Sequence, residues 1–247
     1  MNLSKHKIVS FIFEIVIISE LILLSLSIIT IQVIVFTGVL FLLILALGSY
    51  YLRFQYYLTS INKLSNKGKT ISLTFDDGPN EKVTPKLLEI LEKHNVKAMF
   101  FCIGTNIERN IDVTKSIIEQ GHVLGNHTYS HSNTFALSSY KNVEKEIIRT
   151  NELIESITNQ KNIYFRPPFG VTNPIISKVI ANNNIKVMGW NLRSFDTVIS
   201  SERLLKKLKT NVKPNNIILL HDIESSLQAV DEFIYYAKEK GFKFVLP

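Results

Sequence analysis

A nearly unbroken apolar run near the N-terminal end is the strongest constraint on this chain. Residues 8–52 contain only two charged side chains, Glu14 and Glu20. One membrane-spanning helix needs about 20 apolar residues, and this run is about twice as long. The sequence therefore predicts two transmembrane helices, near 8–29 and 33–52, joined by a tight turn at residues 30–32. A cleaved signal peptide fits less well, because its apolar region is only about 7–15 residues long.

These helices define a predicted membrane anchor over residues 1–53, and a multi-pass location in the cell membrane. Glu14 and Glu20 would face a partner helix, water or an interface, unless the first helix starts elsewhere. Lys5 and Lys7 precede the hairpin and Arg53 follows it. Two spans return the chain to its starting side, and positive flanks favour the cytoplasm. The charges thus predict that the rest of the chain lies in the cytoplasm.

The remainder of the chain has the composition of an ordinary folded domain. A polar linker is predicted at 54–70, followed by a folded domain at 71–247 in which strand-like and helix-like patterns alternate. Such alternation indicates parallel α/β architecture. We predict about seven parallel strands, closed into a (β/α) barrel rather than an open sheet. The predicted strands are 71–76, 97–103, 122–126, 162–166, 185–190, 216–221 and 242–246, and the predicted helices are 83–94, 111–120, 139–158, 174–183, 201–210 and 226–240.

Composition excludes several classes of site. The single cysteine, Cys102, rules out an intrachain disulfide framework and a multi-cysteine zinc site. The net charge of +7 suits an anionic membrane surface or an anionic polymer. It does not indicate a nucleic-acid partner, because the chain contains no zinc finger, RNA-recognition signature or basic helix. Cys102 lies in an apolar run and is predicted to be a buried strand thiol.

Polar side chains follow several predicted strands at the end where barrels collect their chemistry. Asp76 and Asp77 end the first strand, and one can bind a metal while the other stays free as a base. His127 and His131 have the i, i+4 spacing that puts two ligands on one helical turn. With Asp77 they make an Asp-His-His set that leaves positions open for water and substrate. The alternatives are an Asp-Gly turn and a chance pair of surface histidines.

Other strand ends supply further candidates. Arg166 could pair with Asp76 and orient it, or belong to a rigid turn made by the two following prolines, with Phe169 beside the substrate. His221 could be a general acid at the rim or a satisfied core residue. Asp196 could keep His221 protonated or be a loop carboxylate. Trp190, the only tryptophan, is either core or part of the site.

These motifs together resemble the polysaccharide deacetylase family, the carbohydrate esterases related to chitooligosaccharide and peptidoglycan deacetylases. The resemblance covers residues 71–247 and implies a distorted (β/α) barrel with fewer strands than the eight-stranded form. The first motif of the family is TFDDGP, the second is H-[ST]-x-x-H, the third is R-x-P-[FY] and the fifth is L-x-H. They stand at 74–79, 127–131, 166–169 and 219–221.

The fourth motif, D-x-x-D-W, departs from the family pattern. Arg193 stands in place of the first Asp, Asp196 retains the second, and Thr197 replaces the tryptophan. The departure concerns the shape of the sugar pocket more than the chemistry. The family mostly acts on wall polymers outside the cell, which conflicts with the cytoplasmic side favoured by the flanking charges. The sequence leaves the side of the membrane open.

The resemblance implies a hydrolase of carbon–nitrogen bonds that removes N-acetyl groups from amino sugars of a glycan. It implies a divalent cation, usually zinc, with cobalt or nickel able to serve, held by Asp77, His127 and His131. Asp76, steered by Arg166, is then the base, and His221, oriented by Asp196, is the acid. The ion and the Phe169 N–H would hold the oxyanion. The acyl pocket would be lined by Leu219 and Trp190.

Two alternatives remain beside this prediction. One is a deformylase or deacetylase of a lipid-linked amino sugar, in which Arg193 meets a substrate phosphate rather than solvent. The other is a catalytically silent, membrane-bound glycan-binding protein with a vestigial site. Metal content and activity on a lipid-linked sugar would distinguish the three.

Overall fold

The chain opens with an antiparallel hairpin of two apolar helices. The computed structural model describes residues 5–65 and 68–247. Helix α1 spans Lys5–Ser25 and α2 spans Ile31–Tyr50. The rings of Phe13 and Phe41 stack at 3.8 Å, and Thr37 donates a hydrogen bond of 2.6 Å to Glu20. The partner helix thus binds one oxygen, Oε1, of one of the two acidic side chains.

The observed hairpin differs from the predicted one only in where its two helices begin and end along the chain. The turn lies at residues 26–30 rather than 30–32, and both helices begin and end a few residues earlier than predicted. Both are long and apolar enough to cross a membrane. Gly48 is their only buried residue. Residues 1–4 of the predicted anchor lie outside the described residues.

The end of α2 is built into the domain that follows. The Thr172 N–H donates to the Ser49 carbonyl at 3.0 Å, and the Tyr57 hydroxyl donates to the Leu45 carbonyl at 3.3 Å. Leu52 is 5% exposed and packs in a core cluster with Phe165. The exit from the apolar hairpin is therefore fixed against the barrel.

The rest of the chain is an α/β domain with every strand ladder parallel. The strands are β1 Ser60–Ile61, β2 Thr70–Asp76, β3 Met99–Cys102, β4 Val123–Asn126, β5 Tyr164–Phe165, β6 Lys186–Met188, β7 Leu192–Arg193, β8 Asn216–His221 and β9 Lys243–Phe244. The helices are α3 Thr84–Lys93, α4 Gly104–Arg109, α5 Ile111–Glu119, α6 Tyr140–Thr158, α7 Pro174–Asn182, α8 Ser201–Asn211 and α9 Leu227–Glu239.

The sheet runs in the order β1-β6-β5-β4-β3-β2-β8-β7, with β9 beside the start of β2. The chain after β1 crosses to the other end of the sheet, where Lys63 forms a bridge with Asn216 and the Leu64 N–H donates to the Asn215 carbonyl. The predicted α/β barrel is confirmed. It is open-sided, and the described residues form nine strands rather than about seven.

The extra strands explain where the prediction was incomplete. The two-residue strands β1 and β7 are too short to show an alternating pattern. β1 lies inside the segment predicted as a linker, so that segment contributes to the sheet. Asn66 and Lys67 of that linker lie outside the described residues. α4 was also not predicted.

The longer strands alternate between two layers. In β3, Phe100 and Cys102 pack against the outer helices, whereas Met99 and Phe101 face the barrel interior. Cys102 is a buried free thiol, as predicted. In β2 the apolar Leu73 packs outward, leaving a polar row beneath the rim. That row consists of Ser72, Thr74 and Asp76.

Helix ends follow their sequence signals with one exception. Asn173 caps α7 by accepting from the Ile176 N–H at 2.8 Å, directly before Pro174. Gly121 follows α5 with φ +79°, as a C-terminal glycine should. Thr84, which precedes Pro85, is the first residue of α3 rather than its cap, and its hydroxyl binds Asp222.

Candidate active site

Two adjacent carboxylates leave the end of β2 in different directions. Asp76 is 3% exposed and points into the barrel, whereas the side chain of Asp77 is 40% exposed. Asp77 has φ +73°, and Asn106 of α4 donates to its carbonyl at 2.8 Å. A side chain at Gly78 would meet Asp222 Oδ2 at 2.6 Å, so only glycine fits the turn.

The two predicted histidines follow β4 in a loop. The predicted helical turn over residues 127–131 is wrong, because these residues are non-helical and both Thr128 (φ +66°) and His131 (φ +50°) are left-handed. The loop nevertheless places the two imidazole rings 4.7 Å apart. The two histidines therefore do come together as the i, i+4 spacing suggested, but through a left-handed loop rather than a helical turn.

Asp77, His127 and His131 come together as a possible metal site. Their ligand atoms all lie within 4.8 Å of one another. Asp77 Oδ1 lies 3.5 Å from His127 Nε2 and 3.6 Å from His131 Nε2. Two ligands about 2.1 Å from one tetrahedral ion stand about 3.4 Å apart, which agrees with both distances.

The surroundings of these three side chains also fit a cation. Asp77 Oδ1 is buried with no hydrogen-bond partner. His127 Nδ1 is 2.7 Å from the Arg166 carbonyl, which fixes Nδ1 as the donor and leaves Nε2 free to ligate. The donor set is the nitrogen and oxygen type that zinc accepts in catalytic sites.

The charges of the cluster also suit ligation. Burial raises the pKa of Asp77, but the nearby imidazoles of His127 and His131 outweigh it and lower the pKa to about 2. Burial and the charge of His127 lower the pKa of His131. At neutral pH the set thus offers an ionised carboxylate and a neutral imidazole, the forms that bind metal.

Arg166 is the most completely buried charged residue of the site. Its side chain is 0% exposed and lies 4.1 Å from the ring of Phe101. It donates to Asp76 Oδ1 at 2.6 Å and to the Thr74 hydroxyl at 2.8 Å. Further bonds to the Met188 and Gly189 carbonyls fix the guanidinium, so Asp76 is held in one orientation.

His221 and Asp196 form a second pair at the same rim. His221 ends β8 in register with Asp76 on β2. Asp196 Oδ1 is 2.7 Å from His221 Nδ1, and its Oδ2 accepts from the His221 backbone N–H at 2.7 Å. Burial lowers the pKa of His221, but the hydrogen bond and charge of Asp196 outweigh it, and the net pKa is raised. The pair is an imidazole poised to carry a proton.

The predicted substrate-binding residues lie at different depths. Phe169 is 53% exposed, and its ring lies 5.1 Å from that of His131. The Phe169 N–H, at φ +58°, is paired with no acceptor among the described residues. Trp190 is partly buried against Gly170, and Leu219 is 2% exposed two residues before His221.

Sequence analysis missed the side chains that support the two loops. Glu146 of α6 accepts from the backbone N–H groups of Tyr129 and Ser130, which holds the histidine loop. Asn126 does the same from below by accepting from the Thr128 N–H at 2.7 Å. Glu146 is far from the loop in sequence, so no local pattern could have identified it.

Asp222 directly follows His221, and its position could suit a helix cap, but the structure gives it another role. Its carboxylate is buried beneath the Gly78 turn, where it binds the Thr84 hydroxyl. Burial raises its pKa to about 6. Asp222 therefore supports the base of the site rather than the start of α9.

Comparison with known proteins identifies the family. The sequence profile described as polysaccharide deacetylase matches residues 63–188. The chain is 35% identical to a peptidoglycan-N-acetylglucosamine deacetylase of Bacillus cereus over 71% of its own length and 66% of that protein. It is 31% identical to PgdA of Listeria monocytogenes, a deacetylase of the same name, over 72% of this chain but 38% of that protein. The chain thus spans less than two thirds of these curated relatives.

Solved structures agree with this relationship. A peptidoglycan N-acetylglucosamine deacetylase bound to an N-oxidanyl-benzamide compound matches with a TM-score of 0.71 and 34% identity, over 76% of this chain and 89% of the other. A pseudoenzyme of carbohydrate esterase family 4 from Bacillus anthracis matches with a TM-score of 0.71 and 30% identity, over 76% and 67% of the two chains. This chain belongs to the polysaccharide deacetylase family.

Proposed function

We propose that this protein is a membrane-anchored, metal-dependent deacetylase that hydrolyses the N-acetyl group of amino sugars in a glycan. The observation that carries the proposal is a convergence at one rim of the barrel. A possible metal triad, a carboxylate held by a buried arginine and an imidazole held by a buried carboxylate come from the ends of β2, β4, β5 and β8 and from the loop after β7. Deacetylases among the relatives support the choice of reaction.

The proposed ligands of the cation are Asp77, His127 and His131, and the proposed cation is zinc. When bound there, a divalent cation supplies Lewis-acid polarisation of the amide carbonyl and lowers the pKa of water. His127 is aligned for this task by its bond to the Arg166 carbonyl. The same arginine therefore positions both a ligand and the base.

The side chains around the triad divide the proton transfers between them. Asp76, oriented by Arg166, takes the proton of the attacking water. The unpaired Phe169 N–H stabilises the negative charge that develops on the carbonyl oxygen. His221, held protonated by Asp196, donates its proton to the departing amine. The C–N bond breaks, and acetate and a free amino sugar result.

We also propose that the helical hairpin spans a membrane. The two helices expose large apolar side chains, and within the described residues only Gly48 of either helix is buried, next to Tyr56. A core helix of a soluble domain would be buried instead. The hydrogen bond from the Lys5 ammonium to the Phe54 carbonyl keeps both ends of the hairpin on the same side.

The catalytic proposal is tested by acetate release from N-acetylglucosamine oligomers. We expect activity that is lost with a chelator and restored by zinc. His131→Ala should lose both zinc and turnover, whereas Asp76→Asn should retain zinc and lose turnover. Normal turnover in Asp76→Asn would show that the base is elsewhere. If the zinc-loaded wild type released no acetate, the protein would instead be a silent glycan-binding protein that retains all of the proposed catalytic side chains.

A further inference from the structure

A cavity of about 450 Å³ lies between the end of α2 and the rim of the barrel. Three cationic side chains line it: Arg53 after α2, Arg193 of β7 and Lys207 of α8. Its lining contains no carboxylate. None of the proposed catalytic steps uses these three residues.

The three cations also lack acidic partners within the described part of the chain. None of them takes part in an ion pair there. Arg193 and Lys207 lie 4.9 Å and 4.6 Å from the centre of the same ring, that of Phe195. Like charges gathered in a concave, partly apolar site repel one another, and a bound anion would relieve that repulsion.

One wall of this cavity belongs to the membrane anchor. Tyr50 and Tyr51 from the end of α2 line it. Tyrosine at the end of a transmembrane helix marks the headgroup level of a bilayer. Leu52 also lines the cavity and is anchored in the barrel core, so the cavity is held at that level.

The opposite wall belongs to the candidate active site. Phe169 and Trp190 line the cavity, and the Phe169 ring also contacts that of His131. The Arg166 guanidinium, which holds Asp76, lies 5.6 Å from the ring of Trp190. The cavity thus lies between the end of the proposed membrane helix and two aromatic residues that contact side chains of the candidate active site.

We infer that this cavity binds the phosphate of a membrane-embedded glycolipid, so that the substrate is a phosphate-linked amino sugar on a lipid carrier. The inference rests on the proposed deacetylase function and specifies its substrate class. Arg53, Arg193 and Lys207 provide the charge, and the aromatic walls provide surface for the sugar. The anchor places the opening where the phosphate of such a lipid lies. A neutral N-acetylated oligomer has no group that would use three cations.

The test measures binding without turnover by the fluorescence of Trp190, the only tryptophan of the chain. The full-length protein in nanodiscs is titrated with three probes. They are farnesyl-phosphate-linked N-acetylglucosamine, farnesyl N-acetylglucosaminide without phosphate, and soluble N-acetylglucosamine 1-phosphate. We expect the phosphate-linked lipid to bind at least about tenfold more tightly than either other probe, because charged hydrogen bonds are the strong ones.

Paired variants decide whether the cations are responsible. Arg193→Gln with Lys207→Gln should weaken binding of the phosphate-linked lipid by at least about tenfold. The matched control is Arg203→Gln with Lys206→Gln, which removes the same charge from exposed positions of α8 and should leave binding unchanged. Equal binding of the two lipids, or an unaffected Arg193/Lys207 variant, would overturn the inference. If soluble N-acetylglucosamine 1-phosphate bound as tightly as the phosphate-linked lipid, the inference that the substrate is lipid-linked would be overturned.

These results are separable from the fate of the deacetylase proposal. Charge-independent binding together with acetate release from neutral oligomers would reject the phosphate site and retain the deacetylase. Charge-dependent lipid binding without acetate release from any N-acetylglucosamine substrate would reject the deacetylase and retain a phosphoglycolipid site.

Discussion

Replacing Asp196 by asparagine tests the proposed acid most closely. Asp196 is fully buried and accepts three hydrogen bonds, from the His221 ring, the His221 backbone N–H and the Ser194 hydroxyl. An asparagine keeps the shape but must turn its NH₂ group toward one of these donors. Asp196→Asn therefore removes both the negative charge and at least one accepted hydrogen bond.

The expected loss of rate follows from that bond. A hydrogen bond to a charged group contributes about 1.5–3 kcal/mol. Since about 1.36 kcal/mol corresponds to a factor of ten, kcat should fall roughly 10- to 150-fold if the bond stabilises His221 in the transition state. Zinc content should not change, because Asp196 does not contact the triad.

The pH dependence of kcat shows the direction in which Asp196 shifts the pKa of His221. A general acid works in its protonated form, and the raised pKa of His221 keeps that form present above its ordinary range. Activity is thus lost as pH rises through the folded-state pKa. Without the Asp196 charge the pKa of His221 falls, and the alkaline limb of kcat should move to lower pH.

The assay is acetate release from N-acetylglucosamine oligomers across pH 5–10. Ser194→Ala is the matched control, since it removes one hydrogen bond from Asp196 Oδ1 but retains the charge. An alkaline limb at the same pH in Asp196→Asn and wild type would refute the assignment of His221 as the acid.

Three further substitutions test the supporting structure. Arg166→Met should lower the free energy of unfolding by about 3–5 kcal/mol, because it leaves Asp76 buried without its partner; urea titration checks this, and full stability in the variant would contradict it. Asp222→Asn should stabilise the protein at pH 8 by up to about 3 kcal/mol. The raised pKa of Asp222, about 6, means that the wild type loses stability as pH rises from about 4 to about 6. A variant that is not more stable at pH 8 would contradict the role of burial. Glu146→Ala should weaken zinc binding at least about tenfold by freeing the histidine loop, as measured by calorimetry, and unchanged affinity would show that the loop holds itself.

The positions of the candidate site residues could be predicted because parallel strands end at one edge. Asp76 ends β2, His221 ends β8, and Arg166 directly follows β5. The continuous apolar run around β3 likewise predicted a buried Cys102. In these cases a short local pattern determines the strand, and parallel pairing then places the ends of the strands at the same edge of the sheet.

Other features depend on contacts that a local pattern does not contain. The i, i+4 spacing of His127 and His131 is shared by a helical turn and by this left-handed loop, and neither Thr128 nor His131 signals positive φ. Asp222 becomes a buried carboxylate only when the Gly78 turn covers it. The cationic cavity is lined by residues more than 150 positions apart in sequence, from Arg53 to Lys207, so it can be identified only from the folded structure.

The central claim is that one cation is held by Asp77, His127 and His131, and zinc titration of the metal-free full-length protein tests it directly. Calorimetry with elemental analysis should give one tightly bound zinc per chain. Tight binding should be abolished in both His127→Ala and His131→Ala and kept in His122→Gln, whose ring lies beside Phe100, outside the triad. Equally tight stoichiometric zinc in either triad variant, or none in the wild type, would contradict the account.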